Sequence, residues 1–198
     1  STNYSDLSKQ GQEKFDACEW HNRETYWDVI ELGASWYNGG GLDTQSTTSH
    51  LPIYKNITYH GSNAHDLSFE TAWVEGVKGH GIGEKITYHF PAENPRITEI
   101  KIANGYIKSE IAWRNNSRVK QLKMYLNGEL YAFLNLADSR QLQTFKVEPI
   151  GHGDREDYEK LCSLPEWTMT FEITAVYPGE KYEDTAITEI FFDGIDVN

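Results

Sequence analysis

Residues Val119–Leu136 read VKQLKMYLNGELYAFLNL, and their alternation decides the fold. Leu122, Met124 and Leu126 point one way while Lys123 and Tyr125 point the other, the period of two that marks a half-buried strand. Asn127-Gly128 then separates this run from a second one, and Asn-Gly between two alternating runs is the strongest short hairpin signal. The same alternation recurs at Trp167–Val176, where Trp167, Met169, Phe171, Ile173 and Ala175 oppose Thr168, Thr170, Glu172 and Thr174. Further strands are expected at Ile53–Tyr59, Lys85–Phe90, Ile97–Ala103, Val119–Leu126, Glu129–Leu136, Gln143–Glu148 and Ala186–Phe192. No long helical pattern interrupts them; only the polar stretch 154–161 suggests a helical turn. Eight short strands so arranged predict an all-β protein, an antiparallel β-sandwich of the jelly-roll kind.

The 198 residues suffice for one full core, and the formal net charge of −12 argues against a nucleic-acid or anionic-membrane partner, both of which need a cationic footprint. No apolar run approaches the length of a membrane span, so no membrane insertion is expected. Six Trp and twelve Tyr are many for so polar a chain and suit either a sandwich core or a stacking surface. Cys18 and Cys162 stand far apart, compatible with one disulfide or two thiols, and offer no zinc-knuckle spacing. Residues 1–50 differ in texture. They are expected to form a short helical or irregular extension packed on or preceding the domain of residues 51–198. Residues 6–17 suit a polar helix capped by Ser5 or Asp6, and Gly39-Gly40-Gly41 with the Ser/Thr run after it suits a junction.

The chemistry concentrates in Glu70–Ile86, ETAWVEGVKGHGIGEKI. Four glycines there permit a tight loop, and Trp73, Glu75, His80 and Glu84 ride on it. An indole that stacks on a pyranose, beside polar groups that read hydroxyls, suits a sugar or another small polar ligand; the other use of Trp73 is as a core residue. The loop runs into a strand rather than opening a helix, which argues against a phosphate cradle. Three further clusters follow: Asn104-Gly105-Tyr106, a turn with a tyrosine on it; Asn115-Asn116-Ser117-Arg118, whose Arg118 suits either a ligand or a buried carboxylate; and Tyr177–Thr185, a Pro-Gly turn bearing Tyr182 and Asp184. Glu189 sits in a strand apolar on both faces and therefore needs a cation or strong donors. Asp66 and Glu70 are placed to share a calcium ion with it, since hard oxygen ligands favour calcium; a salt bridge to Arg118 or a Lys is the rival. No G-x-S-x-G and no protease-like cysteine signature is present, while carboxylate pairs such as Glu75 and Glu84 could serve a glycosidase.

Four stretches, TAWVEGVKGHGIGE at 71–84, NGYIKS at 104–109, NSRVK at 116–120 and YPGEKYEDTAITEI at 177–190, occur in an order that resembles the NADase-type glycan-binding domain, a discoidin-like (F5/8 type C, galactose-binding-like) jelly roll. The resemblance spans about residues 51–198. It implies a sugar site built from loops at one end of a sandwich, with Trp73, Glu75, Glu84, Asn104, Tyr106, Asn116, Arg118, Tyr182, Glu183 and Asp184 on those loops. It does not imply NADase activity, because the toxin that gives the family its name carries catalysis in a separate domain. Discoidin-like modules often hold a structural calcium between an Asp-Gly loop and a late Glu; Asp66 and Glu189 match those positions, with Leu67 in place of the glycine. The expectation is a non-catalytic glycan-binding module of a secreted or surface-exposed bacterial protein. A hydrolase using paired carboxylates and a protein-interaction module using the same loops are the alternatives.

Overall fold

The computed structural model describes Trp36, Gly41 and residues 44–196. The expected helix at residues 6–17, the aromatic residues from Trp20 to Trp27 and one partner of the possible Cys18–Cys162 bridge lie outside the described residues.

The described residues form nine strands: β1 (Thr44–Thr47), β2 (Trp73–Val74), β3 (Lys85–Phe90), β4 (Ile97–Asn104), β5 (Ser117–Leu126), β6 (Glu129–Asn135), β7 (Gln143–Ile150), β8 (Trp167–Tyr177) and β9 (Thr185–Gly194). They make two layers, β1-β3-β8-β5-β6 and β2-β9-β4-β7. Every pairing between these strands is antiparallel except one, beside an isolated parallel bridge at Gly105↔Ile187. At Ser117↔Thr185 and Arg118↔Ala186, β5 and β9 run parallel and join the layers at one end.

Alternation explains the packing. Ile86, Tyr88 and Phe90 of β3, Leu122 and Met124 of β5, and Trp167, Met169, Phe171 and Ile173 of β8 turn inward. They meet Ile100 and Ile102 of β4 and Ile190 and Phe192 of β9. The Phe192 ring lies edge-on to Tyr88 at 5.1 Å and to Phe90 at 5.2 Å, which locks one layer to the other. Trp36 also enters this core, with Nε1 donating to Pro95 O at 3.1 Å. At the expected hairpin, Asn127 and Gly128 both take positive φ, 50° and 83°, and β5 pairs with β6 across them.

Two expectations are corrected. Ile53–Tyr59 is not a strand: Lys55 and Asn56 take positive φ, and Tyr54 and Ile57 exchange backbone hydrogen bonds around them. A turn there leaves no length for a ladder. Conversely, the polar run after Asp43 yields β1, which pairs with the outer edge of β3 through Thr44↔His89 to Thr47↔Ile86. A short polar strand on an edge needs no apolar face, so alternation is silent about it. The helical turn appears at Tyr158–Cys162, capped by the Asp157 carboxylate. An unexpected helix, Glu110–Asn115, is capped by Ser109, whose hydroxyl accepts from Ala112 N at 3.1 Å.

Candidate functional site

The four singled-out stretches meet at the first residues of β9. Thr185 N donates to Glu75 Oε1 at 3.1 Å, and its hydroxyl donates to His80 O at 2.8 Å. Thr188 Oγ1 donates to Gly105 O and accepts from Ile107 N. Ser117 N donates to Asp184 O at 3.0 Å, and Arg118 Nη1 donates to Pro178 O at 3.2 Å. Strand topology alone makes this meeting: β9 pairs with β2, β4 and β5, each of which carries one of the other stretches at its end.

Convergence does not make every residue available. Trp73, expected to stack on a sugar, is 0% exposed, with its Nε1 donating to Ser49 O at 2.9 Å. It is a core residue because β2, only two residues long, is laid against β9. Glu75 is equally buried; Val77 N and Thr185 N donate to its two oxygens. Gly81, at φ +66°, passes so close to that carboxylate that a Cβ would collide with it. Burial pushes the Glu75 carboxyl above its usual range. The Asn104 amide is consumed by β5, accepting from Val119 N at 2.9 Å and donating to Val119 O at 2.7 Å.

Arg118 is committed to a carboxylate, as in the second of its expected uses, but that carboxylate, Asp138, is exposed rather than buried. It grips Asp138 with Nε at 2.9 Å and Nη2 at 2.8 Å, stacks 4.7 Å from the Trp113 ring and caps Asn116 O. Tyr106 lies largely inside a second small cluster with Ala72, Val74 and Ala186, its hydroxyl donating to Glu70 O. Lys108 Nζ lies over its ring at 4.5 Å. Glu84 accepts from Thr48 Oγ1 at 2.6 Å and from Ser49 Oγ. Glu75 and Glu84 thus serve the fold, and the pair considered as glycosidase acids is engaged by the protein's own donors.

What remains open is a rim. Tyr182 is 42% exposed, with Lys181 Nζ 4.9 Å from its ring. His80 is half-buried and bonds through Nδ1 to Ser117 Oγ and Glu183 O. Asn116 is half-buried, donating to Ala112 O. Asp184 is half-buried, and burial with Glu183 beside it holds its carboxyl above the usual range. Its charge reaches Tyr59, which packs against the Tyr106 cluster and whose phenol burial pushes up. Tyr59 and Lys108 therefore belong to the rim: Lys108 lies within the NGYIKS stretch, whereas Tyr59 follows a turn that no motif marks, and only the fold places it beside Tyr106.

Glu189 is fully buried, as expected, but among the described residues no Arg or Lys answers it: Arg118 holds Asp138, and the buried Lys101 holds Asp193 at 2.9 Å. Ser68 N donates to Oε1 at 2.9 Å, while Oε2 has no hydrogen-bond partner. Burial, with the Asp66 carboxyl beside it, pushes Glu189 up to about 10. Asp66 is ordered by Ser68 N and by the Thr71 hydroxyl at 2.7 Å. Leu67 between them takes φ +60°, so the left-handed turn that a glycine would make is kept by a leucine at a cost in strain. Glu70 does not join the pair; its side chain is exposed, and among the described residues no three His, Cys, Asp or Glu side chains gather as a metal site.

A family model described as the NAD glycohydrolase translocation F5/8 type C domain matches residues 36–193. No curated protein matches the chain. Among solved structures, CBM32-3 from a family 31 glycoside hydrolase of Clostridium perfringens aligns with a TM-score of 0.51 at 12% identity, covering 82% of this chain and 97% of that one. The C-terminal domain of a Bacteroides fragilis chitobiase gives 0.50 at 15%, covering 82% and 98%. The mycobacterial arabinofuranosyltransferase AftD gives 0.51 at 14%, covering 81% of this chain but 11% of that far longer one. At these identities the likeness is one of fold, and the fold is the discoidin-like jelly roll.

Proposed function

Because the chain belongs to the NAD glycohydrolase translocation F5/8 type C domain family, we propose that it is a non-catalytic carbohydrate-binding module, working at or outside a cell surface where glycans are displayed. The observation that carries this reading is the rim at the head of β9. There Tyr182 offers an exposed ring and Tyr59 a half-buried one, and Asp184, His80 and Asn116 offer polar atoms on the converging loops. A sugar needs an apolar face and several oriented donors and acceptors, and a shallow rim of this kind yields micromolar to millimolar affinity. Tyr182 is the stacking platform, and Asp184 receives a hydroxyl.

A glycan array followed by calorimetry tests this. Tyr182→Ala and Asp184→Asn are each expected to weaken binding at least about tenfold, the effect of roughly 1.4 kcal/mol from one lost contact. Both should leave the melting temperature unchanged, since neither side chain is part of the core. An array without a binder, or wild-type affinity in both variants, overturns the reading. Turnover of a bound glycan moves the protein among the hydrolases.

The same proposal includes a structural calcium ion held by Asp66 and Glu189. The orphaned Oε2 of Glu189 supports it, since a buried oxygen without a donor beside a second carboxylate is the environment a hard cation relieves. In the calcium-free protein the raised Glu189 carboxyl makes the folded state hold a proton more tightly than the unfolded one. Its contribution is therefore greatest at acid pH and is lost as pH rises toward about 10. Between about pH 7 and about pH 9 the carboxylates held low, such as Glu172 and Asp196, no longer titrate, so the melting temperature of calcium-free protein is expected to fall across that window. Calcium should restore it, and Glu189→Gln should remove both the fall and the calcium response. A calcium-independent melting temperature, with an equal fall in the Gln variant, counts against the ion.

A further inference from the structure

We propose that His50 and His60 form a two-imidazole site for a divalent transition-metal ion of the zinc, nickel or copper class, separate from the Asp66–Glu189 pair. His60 Nδ1 faces His50 Nε2 at 3.1 Å, with ring centroids 4.2 Å apart. His50 Nδ1 bonds Leu51 O at 2.9 Å. A carbonyl only accepts, so Nδ1 of His50 carries the hydrogen and its Nε2 presents a lone pair toward His60. This is the arrangement of a metal-bound histidine, whose second nitrogen typically donates to a backbone carbonyl or a carboxylate.

The spacing suits the ion as well. Two nitrogens each about 2.0–2.1 Å from one ion, and 3.1 Å from each other, subtend roughly 100° at it, between octahedral and tetrahedral values. Without metal, His60 Nδ1–H fills the gap by donating to His50 Nε2. Entry of the ion requires only that the His60 hydrogen move to its other nitrogen through solvent and that the rings adjust. His50 is exposed and His60 half-buried, so both can turn. Imidazole nitrogens select a transition metal over calcium, which takes oxygen ligands. With no third His, Cys, Asp or Glu gathered there among the described residues, water completes the shell and the site is an open one.

The backbone at both ends is already anchored. Leu51 N donates to Val74 O at 2.9 Å, and His60 O accepts from Asn63 N at 3.0 Å. Between them runs the turn that carries the exposed Tyr54 and ends at Tyr59. An ion bridging the two rings closes this loop and steadies Tyr59 beside the rim. Metal binding itself does not depend on what the rim recognises.

The test is a calorimetric titration of the full chain with zinc chloride, after chelator treatment and with calcium present to fill any oxygen site. One site of roughly micromolar affinity is expected, with imidazole nitrogen resonances of His50 and His60 shifting on addition of zinc. His50→Asn and His60→Gln should each weaken zinc at least about tenfold without lowering the zinc-free melting temperature. The proposal is overturned by absence of binding at millimolar zinc, by unchanged affinity in the double variant, or by shifts confined to other histidines such as His89 and His152. The spectra of the unmodified protein decide the matter even where a variant folds poorly.

Discussion

Trp73→Ala is expected to cost about 3–5 kcal/mol of stability, the range for deleting a fully buried large aromatic side chain. The indole is 0% exposed, belongs to the main core and ties Ser49 O to β2. Its removal leaves a cavity and an unanswered carbonyl together. Chemical denaturation should show a midpoint shifted far below wild type, and any loss of ligand binding should track the unfolded fraction. If Trp73→Ala instead melts like wild type while losing a ligand, the indole is a contact surface, and its placement in the main core is wrong.

Arg118→Ala is expected to be the second large loss, about 1–3 kcal/mol, the range for leaving buried acceptors without their charged donor, with little added by the ion pair because Asp138 is partly in solvent. The guanidinium bonds Asp138 through two nitrogens, caps Asn116 O and Pro178 O, and covers the Trp113 ring. Gly105, at φ +81°, makes room for this packing, since a Cβ there would press on both Arg118 and Trp113. Lys in place of Arg should recover little, because an ammonium cannot span the carboxylate and two carbonyls at once. Asp138→Asn should cost less than Arg118→Ala, because the Asp138 side chain is partly in solvent and the carbonyl bonds survive. A double-mutant cycle in urea measures the coupling. Equal stability of Arg118→Ala and wild type would remove the clamp from the fold's supports.

The legible part of the fold was the part governed by alternation. Lys85–Phe90, Val119–Leu126 and Trp167–Val176 show one inward and one outward face, and a period of two is visible in the letters themselves. β1 and β2 were invisible for opposite reasons: β1 is polar on both faces because it lies on an edge, and β2 is two residues long. The loop stretches that converge could be recognised, but not which of their residues face solvent. Trp73 and Tyr182 are both aromatic residues on such stretches, yet a strand pairing buries the first and a turn exposes the second. Arg118 shows the same limit. Its partner Asp138 lies twenty positions away in a loop without a motif, and nothing local announces it. Glu189 was readable because its own strand is apolar on both sides, so its need for company is written in its neighbours.

The place of β9 has a consequence for how the chain is made. It is the last described strand, yet it is flanked by β4 on one side and meets β2 and β5 as well, joining the layers at Ser117↔Thr185. A polypeptide leaving the ribosome in order exposes β2, β4 and β5 before the strand that completes them exists. Until Thr185–Gly194 emerges, those edges have open backbone donors and acceptors and a half-built apolar interior, the condition in which nascent sheets stick to one another. Closure is then a late event between segments distant in sequence, which makes it slow and favours maturation only after synthesis has passed β9.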